Sequence, residues 1–143
     1  MLILRKEGIE MERSRIVEFL EDNGLSEIEE IKYNDKVVLL KFDFDFDEEE
    51  LEAARAYADD ECEEEKEGDS WYEEYFLNYL NELAVDTVGE VTEDLMEELS
   101  LQAQFASYEL TKENHTYNEF MCVFYENGID VDLDEILDEI DKR

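Results

Sequence analysis

The 143-residue chain has no proline and only five glycines. Pro/Gly-rich linkers are therefore missing, and nothing marks a boundary between domains. One domain over 1–143 is the expectation. Two cysteines exclude a disulfide scaffold, and with a single histidine they are too few for the usual structural zinc sets. No Gly-rich phosphate loop and no G-x-S-x-G nucleophile elbow occurs. Apolar runs such as 1–4 and 37–40 fall far short of the ~20 residues of a membrane helix and carry no secretory signal. A cytoplasmic protein with no membrane contact is expected. The scarcest class is positive charge. Twelve Lys and Arg stand against 45 Asp and Glu, a formal net charge of −33. Direct nucleic-acid binding is disfavoured, because phosphates require a basic surface.

Apolar residues make up 43% of the chain, aromatics among them, so a packed core is within reach and a disordered acidic tail is not expected. Residues 10–23 have helical spacing through Ile16, Val17, Phe19 and Leu20, and stop at Asn23-Gly24. Residues 36–46 alternate: Val38, Leu40, Phe42, Phe44 and Phe46 point one way, Lys41, Asp43 and Asp45 the other. With 27–33 they form a predicted β-hairpin over 27–46, and 2–4 offers a third strand. Asp47 and Glu50 have the spacing of a capping box, with Phe46 and Leu51 as a hydrophobic staple. A helix with the stripe Leu51, Ala54, Ala58, Cys62 follows.

The next predicted helix opens near Ser70 and ends at Gly89. Its apolar side chains cover most of its circumference, which makes it the expected central element. Thr92 caps a further helix with the core stripe Leu95, Leu99, Ala103, Ala106 and Leu110. Thr116 and Glu119 open another, carrying Tyr117, Phe120, Met121 and Phe124. Asp132 and Glu135 open the last, with Leu133, Ile136, Leu137 and Ile140. Gly24, Gly68, Gly89 and Gly128 are placed as left-handed helix ends. The expected fold is α+β and predominantly α-helical. It has about six helices, one N-terminal antiparallel β-hairpin and a helical body over 47–143; an all-α domain is the alternative.

The densest acidic run is 59–67, with Asp59, Asp60, Glu61, Glu63, Glu64, Glu65 and Glu67. If the helix continues through it, Asp59/Glu63, Asp60/Glu64, Glu61/Glu65 and Glu63/Glu67 are repulsive i,i+4 pairs at a dipole end that disfavours acids. A locally unfavourable arrangement of this kind marks a candidate partner-binding strip. Asp-x-Asp-x-Asp at Asp43, Asp45, Asp47 and at Asp130, Asp132, Asp134 begins like a calcium loop. Glu48 and Glu135 then stand where the turn needs glycine. His115 and its neighbours offer no nucleophile–base pair. Cys62 and Cys122 fall on apolar stripes and read as core. Trp71, Tyr72, Tyr75, Phe76 and Tyr79 have core spacing, with Trp71 and Tyr75 at the rim of a cleft.

Glu48, Glu49, Glu52 and again Glu63, Glu64, Glu67 follow Glu-Glu-x-x-Glu. This resembles one half of the metal motif of the all-α nucleotide pyrophosphatases. The other half, Glu-x-x-Asp, has its single match at Glu135 and Asp138, far downstream. The resemblance implies a small Mg²⁺-dependent nucleotide-processing enzyme with helix-borne carboxylates, and stands as the alternative. The leading expectation is a non-enzymatic acidic interaction protein, without cofactor, that offers carboxylates to a basic protein surface as a nucleic-acid mimic or inhibitor. Leu101, Phe105 and Tyr108, spaced i, i+4, i+7 away from the main stripe of their predicted helix, are the candidate interface of a homodimer.

Overall fold

The alternating segment forms the long strand expected of it, but in a larger sheet. In the computed structural model, which describes residues 8–142, β1 (Ser26–Ile31) pairs antiparallel with β2 (Val37–Asp45). Strand β2 then pairs antiparallel with β4 (Tyr117–Tyr125), which pairs antiparallel with β3 (Gln102–Ser107). The sheet order is β1-β2-β4-β3. Around it lie α1 (Arg13–Asp22) after a 3-10 turn at Gly8–Glu12, α2 (Glu48–Glu61), α3 (Leu77–Leu99) continuing a π-helical segment Trp71–Phe76, and α4 (Leu133–Asp141). The strand expected at 2–4 lies outside the described residues.

Among the described residues, four helices and a four-stranded antiparallel sheet replace the expected fold of about six helices and a single hairpin, and equally the all-α alternative. Two predicted helices are strands. The segment 102–107 is β3, and 117–125 is β4, buried on both faces. Phe120, Cys122 and Phe124 enter one core with Val38, Leu40 and Phe42, under α1, α2 and α3. Met121 and Val123 enter a second core with Val37 and Leu39, under Leu133 and Ile136 of α4. Helix α3 runs straight through Gly89 and through Thr92, whose hydroxyl donates to the Gly89 carbonyl rather than capping a new helix.

The helix ends follow local chemistry. Asp47 and Glu50 form the reciprocal capping box of α2. Asp132 accepts from the Asp134 N–H at the start of α4. Gln104 of β3 fixes the same end: its carboxamide accepts from the Leu133 N–H at 3.0 Å and donates to the Val131 carbonyl at 2.7 Å. The left-handed end of α3 is Ser100 (φ 55°), not Gly89. A Cβ on Gly89 would meet only Phe105 Cζ at 3.8 Å, an ordinary contact.

Two opposite glycine substitutions are therefore expected to stabilise. Gly89→Ala removes backbone entropy from a helix interior, a gain of about 0.5–1 kcal/mol. Ser100→Gly relieves a left-handed non-glycine, a gain of a few tenths to about 1 kcal/mol. Urea titrations of both variants check this. A loss of stability in Gly89→Ala would mean that the helix needs close approach there.

Candidate functional site

The acidic run is helical only as far as Glu61. Helix α2 stops at Glu61, and Cys62 takes extended backbone. The chain leaves the helix where like charges would have stacked, so the i,i+4 pairs expected over 59–67 do not form. Asp59, Asp60, Glu61, Glu63, Glu64, Glu65 and Glu67 are all exposed. Asp59 is nevertheless engaged. It accepts from Trp71 Nε1 at 3.0 Å and lies 3.4 Å from Lys66 Nζ. It thus tethers the π-helical segment to α2. Trp71 is buried rather than at a cleft rim, and its ring stacks on Phe76 at 5.0 Å.

Tyr72, one residue on, does line a cavity. This space of about 820 Å³ lies between the π-helical segment with the start of α3 and the β3–β4 connection. Asp69, Glu73, Glu109 and Glu113 supply its carboxylates, and Lys112 its cation, 5.2 Å from the Tyr72 ring centre. Asn81 spans the wall, donating to Ser107 Oγ at 3.2 Å and to Oδ1 of the buried Asn118 at 3.0 Å. Asn118 donates in turn to the carbonyls of Tyr108 and Glu119. Every buried polar side chain among the described residues is paired. His115 sits beside this region with its ring edge-on to Phe76 at 5.0 Å and Nδ1 3.0 Å from the Lys112 carbonyl oxygen. The walls are polar and acidic.

A second acidic surface lies on the half of the sheet that α4 leaves uncovered. Asp43 and Glu119 are directly opposite each other in the β2–β4 register. Burial, with Glu119, Asp45 and Glu27 nearby, pushes the Asp43 carboxyl up to about 6. Lys41 Nζ lies 3.3 Å from Glu119 and is the cation of this cluster. On the edge strand β1, burial alone would raise Glu30. Hydrogen bonds from Arg13 and Lys32 and their charges override it and hold the carboxyl below its ordinary value.

The residues expected at a dimer interface do not share a helix face. Leu101 is buried at the start of β3, Phe105 packs into the main core against Phe120, and Tyr108 is exposed just beyond β3. Of the Glu-Glu-x-x-Glu pairs, Glu48, Glu49 and Glu52 sit exposed in the first turns of α2, and Glu63, Glu64 and Glu67 on the loop that follows it. Among the described residues, no group of three or more His, Cys, Asp or Glu is arranged to hold a metal ion. The second calcium-like triplet, at 130–134, supplies the cap of α4.

One feature carries no motif, and its lack of cations counts against the phosphate-binding alternative. Between Lys66 and Lys112 there are twelve acids and no Lys or Arg. All twelve are exposed, and none is in an ion pair among the described residues. The signal was the absence of cations from a segment that builds α3 and β3. Among the described residues no helix is long and apolar enough to cross a membrane. No family model matches the chain, and no curated protein or solved structure compared with it is similar enough to count as a match.

Proposed function

We infer that the chain is a non-enzymatic interaction protein that binds the basic surface of another protein, in the manner of a nucleic-acid mimic or inhibitor. The observation that carries this reading is the cation-free segment 67–111, whose twelve acids all face solvent. An unpaired run of one sign steers an oppositely charged partner and raises its on-rate. Glu61 at the end of α2 and the loop acids Glu63, Glu64 and Glu65 lie just before this segment, on the far side of Lys66.

Charge placement, rather than total charge, is the test. One variant combines Glu82→Gln, Asp86→Asn and Glu93→Gln on α3. A second combines Glu18→Gln, Glu21→Gln and Asp22→Asn on α1, with the same change in net charge. A third carries Glu61→Gln, Glu63→Gln, Glu64→Gln and Glu65→Gln. Binding to a lysine-rich peptide is measured by calorimetry across a salt series. The α3 and loop variants are expected to lose about tenfold in affinity at low salt, and the α1 variant about twofold or less. Equal losses from all three would reduce the effect to net charge and overturn the reading.

A further inference from the structure

The two edges of the sheet are treated in opposite ways. Strand β1 carries several devices that discourage edge pairing. Three of its six residues are Glu, its register shifts between Ser26 and Glu29, and Glu27 takes φ 52°. Strand β3, reading Gln-Ala-Gln-Phe-Ala-Ser, has no charge, no proline and no register shift. That is exceptional in a chain with 40% charged residues. Self-pairing or aggregation is the ordinary consequence of such an edge.

The ladder fixes which backbone groups are free. The Tyr108 N–H donates to the Glu119 carbonyl at 2.8 Å, so even-numbered residues of β3 face β4. Odd-numbered residues turn their N–H and C=O outward. Leu101 follows the rule, with its N–H turned to the Met96 carbonyl. The outward groups of Ala103, Phe105 and Ser107 have no backbone partner among the described residues.

The flank of this edge is acidic. Asn81 bonds Ser107 and Gly89 lies against Phe105, so that row of α3 faces β3. At 100° per residue, Glu82, Asp86 and Glu93 come next around the helix, away from the core. All three are exposed.

We propose that β3 is a docking edge to which a basic, extended segment of a partner protein adds as a fifth strand. Backbone bonds to Ala103, Phe105 and Ser107 supply affinity, and Lys or Arg side chains meet the α3 acids. The occupant is basic because neither α3 nor β3 carries a cation. A second copy would instead set two cation-free α3–β3 surfaces side by side. This inference rests on the basic-partner reading and specifies its mode.

The probe is a peptide alternating Lys and Val over about eight residues, near the common strand length. Its control has the same sequence with alternate backbone nitrogens methylated, which keeps the charge and removes the strand's donors. The unmethylated peptide is expected to bind about tenfold more tightly, and to slow amide exchange at Ala103, Phe105 and Ser107. Ala103→Pro removes an outward N–H without breaking the ladder. It should abolish the difference between the two peptides while leaving the binding of the methylated one intact.

Equal binding of both peptides with unchanged β3 exchange overturns the edge and leaves the basic-partner reading standing. No binding of either at low salt overturns both. Slow exchange at these amides in the free monomer, or a wild-type dimer that Ala103→Pro converts to monomer, shows a different occupant and overturns the proposal. If Ala103→Pro does not fold, the wild-type exchange pattern and the methylation contrast decide.

Discussion

Val123→Asp is expected to leave the protein unfolded at neutral pH. Val123 is fully buried in the layer between the sheet and α4, among Val37, Leu39, Met121, Leu133 and Ile136. These side chains are apolar, and the carboxamide of Gln104, opposite Val123 in the β3–β4 register, already bonds Leu133, Val131 and Tyr125, so a carboxylate there would be buried without a free donor. Such a group costs several kcal/mol, against a total stability of roughly 5–15 kcal/mol for a domain. Val123→Ala separates cavity from charge. It should fold, with a loss of about 2 kcal/mol. The pair also tests the secondary structure. On a helix over 116–127, Val123 lies off the apolar side formed by Tyr117, Phe120, Met121 and Phe124, and an Asp would be tolerated. Cooperative unfolding of Val123→Asp within a few degrees of the wild type would remove β4 from the centre of the sheet. Far-ultraviolet circular dichroism and thermal melts suffice for both variants.

The same strand shows where the sequence is legible and where it is not. Residues 37–46 alternate because half of one face of β2 is wet: Lys41, Asp43 and Asp45 lie beyond the cover of α4. Strand β4 has apolar cores on both sides, so alternation disappears into the run 120–125. Its aromatic residues at 117, 120 and 124 then mimic helical spacing. A six-residue apolar run is short for a buried helix and ordinary for a doubly buried strand, and that length was the usable signal. Ala103, Ala106 and Leu110 continue the spacing of α3, so the pattern predicts helix where the chain forms β3. Nothing in Ser100-Leu101 announces that the helix ends there; the left-handed turn falls on a serine. At Gly89 the local signal points to a helix end, whereas packing of Ala84, Val88, Val91 and Leu95 carries the helix through a residue that locally disfavours it.

Of the candidate site, composition was legible and conformation was not. The acids of 59–67 are plain in the sequence, but their departure from the helix and the capture of Asp59 by Trp71 depend on tertiary contacts. The unprotected edge of β3 is invisible in a pattern that predicts helix over 102–107. The cation-free stretch from 67 to 111 is legible in the sequence alone.

Stability is expected to pass through a maximum near pH 5 and to rise with salt. Two carboxyls with opposite shifts define the pH window. Asp43 has a folded value of about 6, against about 3.9 in the unfolded chain. Between these values the folded state binds more protons, so stability falls as pH rises through 6 and is regained as pH drops from 7 toward 4. Glu30 behaves oppositely. Its folded value is lowered by Arg13 and Lys32, so its contribution is present above the unfolded value of about 4.3 and is lost as pH falls below it. Asp43 is partly solvated, which limits its contribution to about 1 kcal/mol after screening. Repulsion among the remaining acids adds to it, and that part responds to ionic strength. The Debye length falls from about 30 Å at 0.01 M to about 3 Å at 1 M salt. Together the two effects should raise the melting temperature by roughly 10 °C between pH 7 in 0.01 M NaCl and pH 5 in 0.5 M NaCl. Asp43→Asn should flatten the limb between pH 7 and 5, and Glu30→Gln the limb below pH 4.5, so each arm has its own control. The interaction reading shares this physical basis. A melting temperature indifferent to salt at pH 7 would mean that the exposed acids repel one another weakly, and that 67–111 lacks the field by which it is inferred to draw a basic partner.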